Sequence, residues 1–358
     1  MSTSRRSAAR NCVQPSDLVM PFGSRSRGSR RARPGLHVNL LCVGMIASLW
    51  IGAPLAAQVP EPIEKAIVAA GRVVDGPAME ALYRPLQERE PYSGVSVARG
   101  LKYGPLDQQA ADVFVAQSAD HRKRPVLIFA HGGGFTSGAR RSSPDSPFYD
   151  NVALWAARHG FVAINIDYQL APAAIWPSAA RDIAKAVHWA RENAASYGGD
   201  PKELFLMGHS AGATHIASYG GDPALQGEDA SSLRGLIIVS GSYTVQAPDS
   251  ALPEDKRLLG RAKVYFGDDP AKFAAESSLA GLIASKTPLL LVNSEFEPDY
   301  FLKQRALLLS SLPKARSKTV SSIVLAGHNH MSEINSINTT DASTTNAILT
   351  FVRRNTTP

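Results

Sequence analysis

The chain of 358 residues has two cysteines, Cys12 and Cys42, and both lie in its first 57 residues. The part that follows has none, which excludes a disulfide framework, a thiol nucleophile and a cysteine-bound metal there. Charge excess is also missing from that part. Residues 1–57 hold eight arginines, no lysine and one acid, Asp17, and so account for the whole net charge of +7. The remaining residues balance bases against acids, and the pI near 9.4 belongs to the leader. A nucleic-acid-binding protein would carry a basic stripe or patch, and none is expected here. Internal repeats and low-complexity linkers are absent after residue 60, which excludes a solenoid or fibrous chain.

One apolar stretch stands out. Val38–Leu55 is uncharged, follows the arginine-rich run, and leads into Ala56, Ala57 and Gln58. A positive segment, an apolar segment and a small-residue exit form a secretory signal. Residues 1–57 are therefore expected to be a signal peptide with a long basic n-region, and residues 58–358 a single domain. The expected location is secreted or periplasmic, with no stable membrane insertion once the leader is removed. A retained N-terminal anchor is the alternative, and Met20 is an alternative start. A body of about 300 residues can bury enough surface to fold without disulfide staples.

After residue 60 the pattern becomes regular. Glu61 to about Gln87 has helical spacing and reads as one or two helices. Val95–Tyr103 and Ala111–Ala116 read as early strands. From residue 125, short apolar runs alternate with helical stretches. The runs are Val126–Ala130, Phe161–Ile166, Leu204–Met207, Leu236–Val239, Pro288–Val292 and Ser322–Leu325. Consecutive apolar residues without alternation mark strands covered on both faces, as in a parallel sheet. The helical stretches are Asn151–His159, Ala179–Ser196, Gly212–Ser218 and Tyr300–Leu312, with a last helix in Thr340–Arg353. The expected class is α/β, a mostly parallel doubly wound sheet. Ligands in such sheets gather at the carboxyl ends of the strands.

Two glycine motifs fall at such ends. Gly208-His209-Ser210-Ala211-Gly212 follows the LFLM run and opens a helical stretch. The glycines permit a sharp strand-to-helix turn that exposes a serine hydroxyl beside a helix N-terminus, which makes Ser210 the candidate nucleophile. His131-Gly132-Gly133-Gly134-Phe135 follows the VLIFA run. Its glycines let backbone N–H groups approach a developing oxyanion. Gly133 and Gly134 are the expected donors, with Ala211 as the third. His131 is expected to orient this loop.

These motifs, together with Asp167-Tyr168-Gln169-Leu170-Ala171-Pro172, Trp176-Pro177 and Tyr197-Gly198-Gly199-Asp200-Pro201, resemble those of the hormone-sensitive-lipase-like esterases. The carboxylesterase and kynurenine-formamidase-like branch is especially similar. The resemblance covers roughly residues 80–352. It implies the α/β-hydrolase fold, a Ser–acid–His triad, no cofactor, and a small-molecule ester or amide substrate. Gln169 departs from it, since many relatives have arginine there. Asp167 and Tyr168 are expected to be structural.

The chain order serine, acid, histidine places the acid after the PLLLV run. Relatives usually have an aspartate before a proline there. This sequence has Glu297 before Pro298, with Asp299 and then Glu295 as alternatives. In Gly327-His328-Asn329-His330, the resemblance points to the second histidine, His330, as the base. His328 is the alternative. Without H-E-x-x-H or a carboxylate at ligand spacing, no metal is expected. The 48 or so residues between the LIIV and PLLLV runs allow only a small helical cap. Phe135, Trp176 and Tyr300 are candidate pocket aromatics. The expected activity is hydrolysis of small carboxylic esters. Rivals are an amidase or formamidase on the same triad and a non-catalytic binding protein of the same fold. The oligomeric state is not legible in the sequence.

Overall fold

The computed structural model describes residues 59–117, 122–245 and 252–357. The leader assigned to residues 1–57 lies outside the described residues, as does residue 58. Among the described residues no helix is long and apolar enough to cross a membrane.

Eight strands form one sheet. They are β1 (Val95–Lys102), β2 (Ala110–Ala116), β3 (Arg124–Ala130), β4 (Val162–Ile166), β5 (Gly199–His209), β6 (Leu233–Val239), β7 (Leu289–Phe296) and β8 (Val320–Asn329). Their order is β1-β2-β4-β3-β5-β6-β7-β8. β2 is antiparallel to both neighbours. Every other pairing is parallel.

The order reverses at β3. The chain leaves β3 through α3 (Asp150–Arg158) to pair β4 on one side, then returns through α4 (Ser178–Asn193) to place β5 on the other. The two crossovers leave in opposite directions, which opens a crevice between the carboxyl ends of β3 and β5. His131 directly follows β3, and Ser210 directly follows β5.

Each face of the sheet is covered. α4 buries Ala179, Ile183, Ala186, Val187 and Ala190, a stripe at three- and four-residue spacing. It shares one core with α5 (Ala211–Gly221). α3 and α8 (Ser343–Asn355) cover the opposite face with Val152, Trp155, Ile348 and Phe351. The other longer helices are α1 (Glu61–Ala70), α2 (Gly76–Tyr83), α6 (Pro253–Phe266) and α7 (Asp299–Ser311). Burying each such large apolar side chain stabilises the fold by about 1.5–3 kcal/mol.

The strands outrun their apolar cores. β7 continues through Asn293 to Phe296, and β8 through His328 to Asn329. Polar residues extend the strand where it emerges at the crevice, so an apolar run marks only its covered part. β8 departs from the expected two-sided burial. It is the sheet edge, and Val324 there is 46% exposed.

Charges that the sequence pattern did not flag hold the loops. Asp112 and Asp150 are buried. Arg99 donates to Asp112 Oδ2 at 2.8 Å and to Asp150 Oδ2 at 2.7 Å, and Tyr92 donates its hydroxyl to the same Asp150 oxygen at 2.8 Å. Arg140 joins Asp112 to Asp167. Buried carboxylates are tolerated because they are paired. The network fixes Asp167 beside the loop after β3, in the structural role expected of it. Gln169, the departure from the esterase pattern, contacts the buried Asp182 through its backbone N at 3.0 Å and its side-chain Nε2 at 3.2 Å.

Candidate active site

β5 ends at His209, and α5 starts at Ala211, so the whole turn falls on Ser210. Its φ of 56° lies in the left-handed region. That conformation costs a non-glycine residue about 1–3 kcal/mol and persists only where its surroundings hold it. The Ser210 N–H donates to Val239 O at 2.8 Å, and Ser210 O accepts from Thr214 N at 3.1 Å. Gly212 is needed for close approach, because a Cβ there would meet the carbonyl oxygens of Ala130 and His131 at 2.3 Å.

Three of the sequence candidates meet. Ser210 Oγ lies 2.9 Å from His330 Nε2. His330 Nδ1 lies 2.5 Å from Glu297 Oε1. Glu297 is fully buried and His330 is 1% exposed. The second carboxylate oxygen of Glu297 accepts from Ser240 Oγ at 2.6 Å and from Ser294 N at 3.2 Å. Arg72 holds the same loop by donating to the Glu297 carbonyl at 2.5 Å. Phe301 stacks on His330, with centroids 4.5 Å apart.

The alternatives lie elsewhere. Asp299 is 40% exposed, opens α7 (Asp299–Ser311) and faces Arg72 at 3.5 Å. Glu295 accepts from Gly327 N at 2.9 Å. His328 is buried, with Nδ1 3.1 Å from Ser332 Oγ and Nε2 3.1 Å from Asp341 Oδ2. It braces the histidine loop.

A cavity of about 350 Å³ holds Ser210 and His330 together with Gly132, Gly133 and Gly134. A larger one of about 700 Å³ lies along β8, away from Ser210. The smaller one is the candidate site because it contains the nucleophile. Ala211 is the first residue of α5, where helix N–H groups have no partner within the helix.

The three candidate pocket aromatics do not line this cavity. Phe135 is buried and stacks on Tyr265 at 5.4 Å, because its positive φ turns it inward from the glycine loop. Trp176 lines a separate cavity of about 380 Å³. Tyr300 is buried, and its N–H donates to Asp255 Oδ1 at 3.0 Å. Its neighbour Phe301 is the residue of that pair that reaches the histidine. The cavity's own aromatics are Phe148 and Tyr149.

Residues 111–229 match the BD-FAE family. Esterase LipQ of Mycobacterium tuberculosis is 28% identical over 223 residues, 59% of this chain and 51% of its own length. Esterase LipC of the same organism is 27% identical over 284 residues, 74% of this chain and 68% of its own. The chain thus spans about half the length of LipQ. Among solved structures, a bacterial heroin esterase superposes with a TM-score of 0.61 at 19% identity, over 83% of this chain and 98% of that one. The chain has the α/β-hydrolase fold. The expected fold class, with its mostly parallel sheet, is therefore established.

In this fold a buried relay, not legible in the sequence, joins three loops. Gly132 N donates to the Tyr149 hydroxyl at 2.9 Å, which lies 3.1 Å from His209 Nδ1. His209 Nε2 lies 2.9 Å from the His330 carbonyl. A carbonyl only accepts, so Nε2 carries the proton and Nδ1 accepts from Tyr149. Burial, and secondly the nearby His330, hold His209 well below the usual histidine range, so the ring is neutral. His131 stacks on Tyr168, with centroids 4.3 Å apart, and its pKa is lowered chiefly by burial. Its expected role of orienting the loop fits its position.

Glu333 carries no signal in the sequence either. It is fully buried, accepts from Ser294 Oγ at 2.5 Å, and has Oε1 3.8 Å from His209 Nε2. His209, His330 and Glu333 each bring one possible metal-ligand atom within 4.8 Å of the others. The histidine nitrogens are already committed to Ser210, Glu297, Tyr149 and the His330 carbonyl.

Burial first, and the charge of Glu297 second, push the Glu333 carboxyl well above its ordinary 4.5. The folded protein then keeps a proton that the unfolded chain releases above about pH 4.5. Stability is full below that value and falls as pH rises toward the folded pKa. Glu333→Gln, which keeps the acceptor and removes the titration, should lose less stability than wild type between pH 5 and 8. Urea unfolding at the two pH values measures it. Equal pH dependence in both proteins would mean that Glu333 is ionised in the fold.

Proposed function

We propose that the protein is a serine hydrolase that cleaves small carboxylic esters through an acyl-enzyme. The observation that carries this reading is the buried line from Ser210 Oγ through His330 to Glu297, at 2.9 and 2.5 Å.

His330 takes the proton of Ser210 as Oγ attacks the ester carbonyl. The oxyanion that forms is held by the N–H groups of Gly133, Gly134 and Ala211. The carbonyl re-forms, the C–O bond to the alcohol breaks, and His330 returns the proton to the leaving alkoxide. Water, deprotonated by His330, then attacks the acyl-serine, the bond from the acyl carbon to Ser210 Oγ breaks, and His330 returns the proton to Oγ as the acid is released. Glu297 holds the imidazole orientation and stabilises its cation. A cavity of about 350 Å³ suits a short acyl group better than a long lipid chain. The esterase names of LipQ and LipC support esters over formamides.

Export belongs to the same proposal and rests on the sequence of residues 1–57 alone. Both parts can be read together. The protein isolated from its producing cells is treated with an alkyl phosphonate, and its intact mass and labelled peptide are measured. A single adduct on Ser210, turnover of p-nitrophenyl butyrate and a mass lacking about residues 1–57 are expected. No adduct and no turnover would refute the hydrolase reading. A mass including the leader would refute cleavage only.

A further inference from the structure

The helix α6 (Pro253–Phe266) lines the cavity with Arg257, Leu258 and Arg261, and the last of these side chains reaches the glycine loop. Arg261 Nη2 donates to Gly133 O at 3.0 Å, to Thr136 Oγ1 at 2.9 Å and to Ser137 Oγ at 2.7 Å. Ser137 turns the same way, donating to Gly133 O from its N at 3.1 Å and its Oγ at 2.8 Å. The guanidinium also fills the place of a side chain at Gly134. A Cβ there would meet Arg261 Nε at 2.7 Å, and Gly134 has a φ of +58°. One helical turn on, Tyr265 stacks on Phe135 and fixes α6 against the loop.

The Gly133 carbonyl and the Gly134 N–H belong to one planar, conjugated peptide unit. That bond is trans, so its N–H points away from its oxygen. With the cation on the oxygen side, the N–H faces away from the cation, and Gly134 lines the cavity of Ser210. Positive charge at a peptide oxygen draws electrons from nitrogen and makes the N–H a stronger donor. Hydrogen bonds in such chains strengthen one another. Both acids of the helix have other partners, Glu254 being held by Arg257 at 2.5 Å and by Val74 N at 3.0 Å and Asp255 accepting from Tyr300 N at 3.0 Å, while the Arg261 guanidinium donates to the loop.

We propose that Arg261 is a positioning residue of the oxyanion hole, which aligns and polarises the Gly133–Gly134 peptide so that the Gly134 N–H binds the tetrahedral oxyanion more tightly than the ground-state carbonyl. This rests on the hydrolase reading above. Helix α6 then serves the chemistry as well as the shape of the cavity.

A polarising residue acts on the transition state, whereas a mere strut would alter stability or ground-state binding. Arg261→Gln is compared with wild type for kcat and KM on p-nitrophenyl butyrate, and for affinity toward a trifluoromethyl ketone that forms a tetrahedral adduct on serine. Deleting a whole oxyanion donor costs about 10²–10³ in kcat. Weakening one should cost about 10- to 100-fold, with KM within about twofold and ketone affinity falling in parallel with kcat. Arg261→Lys, which keeps the charge, should recover most of both. An unchanged kcat, or a raised KM with unchanged ketone affinity, would overturn the proposal. If the glutamine variant does not fold, the lysine variant decides. A fall in its kcat without a matching fall in ketone affinity overturns the proposal, and parallel changes support it. Wild-type protein that neither turns over ester nor labels at Ser210 would instead refute the hydrolase reading, and this proposal with it.

Discussion

Ser210→Ala should reduce kcat on p-nitrophenyl butyrate by about 10⁶-fold, the loss seen when a triad nucleophile is removed. The substitution deletes one oxygen, the atom 2.9 Å from His330 Nε2 and the hydrogen-bond partner of that nitrogen among the described residues. Alanine keeps the Cβ, so the left-handed strain at residue 210 is unchanged, and so are the backbone bonds to Val239 and Thr214. The thermal midpoint should therefore stay within a few degrees of wild type. Residual catalysis of about 10³–10⁴ over water is expected from the oxyanion donors and binding alone. Steady-state rates on matched preparations measure the effect. A variant that keeps a tenth of wild-type activity would place the nucleophile elsewhere.

Glu297→Gln should cost about 10⁴ in kcat, whereas Asp299→Asn should cost less than about threefold. The reason is the tautomer. Ser240 Oγ and Ser294 N both donate to Glu297 Oε2, so a glutamine would keep its carbonyl oxygen toward them. Its amide NH₂ would then face His330 Nδ1, which could only accept. The imidazole proton would be forced onto Nε2, leaving no lone pair to take the proton of Ser210. Asp299 sits in the first turn of α7, 3.5 Å from Arg72, and is 40% exposed. Its neutralisation removes a helix-dipole interaction of about 0.3–1 kcal/mol. Comparable losses in both variants would mean that the acid loop works as one unit and that Glu297 has no special place in it.

The contrast between these two acids shows how far sequence reading reaches. Glu297 and Asp299 are two residues apart in a strand-to-helix turn. Position in chain order narrows the acid to this segment. Only the direction of each side chain decides which carboxylate meets the ring, and the order of residues does not encode that direction. The same limit explains Tyr300. It borders the site in sequence, but its side chain is buried outside the cavity and Phe301 takes the face on His330.

What the sequence by itself determined was local. Glycines set the elbow at Ser210 and the loop at 132–134, since a Cβ at Gly212 or Gly134 has no room. Apolar runs marked the covered parts of the strands, and chain order placed serine, acid and histidine. These properties depend on backbone freedom and on hydrophobic periodicity, which neighbouring residues carry. Tertiary structure alone decided the contacts between distant segments. Tyr149 meets His209, Glu333 lies behind the Glu297 loop through Ser294, and Arg261 reaches Gly133 from a helix 128 residues away. Such contacts arise from the crossing of loops at the reversal of strand order. Hydrogen bonds and charges are strong there because water is excluded, and no periodicity in the chain records which side chains will meet.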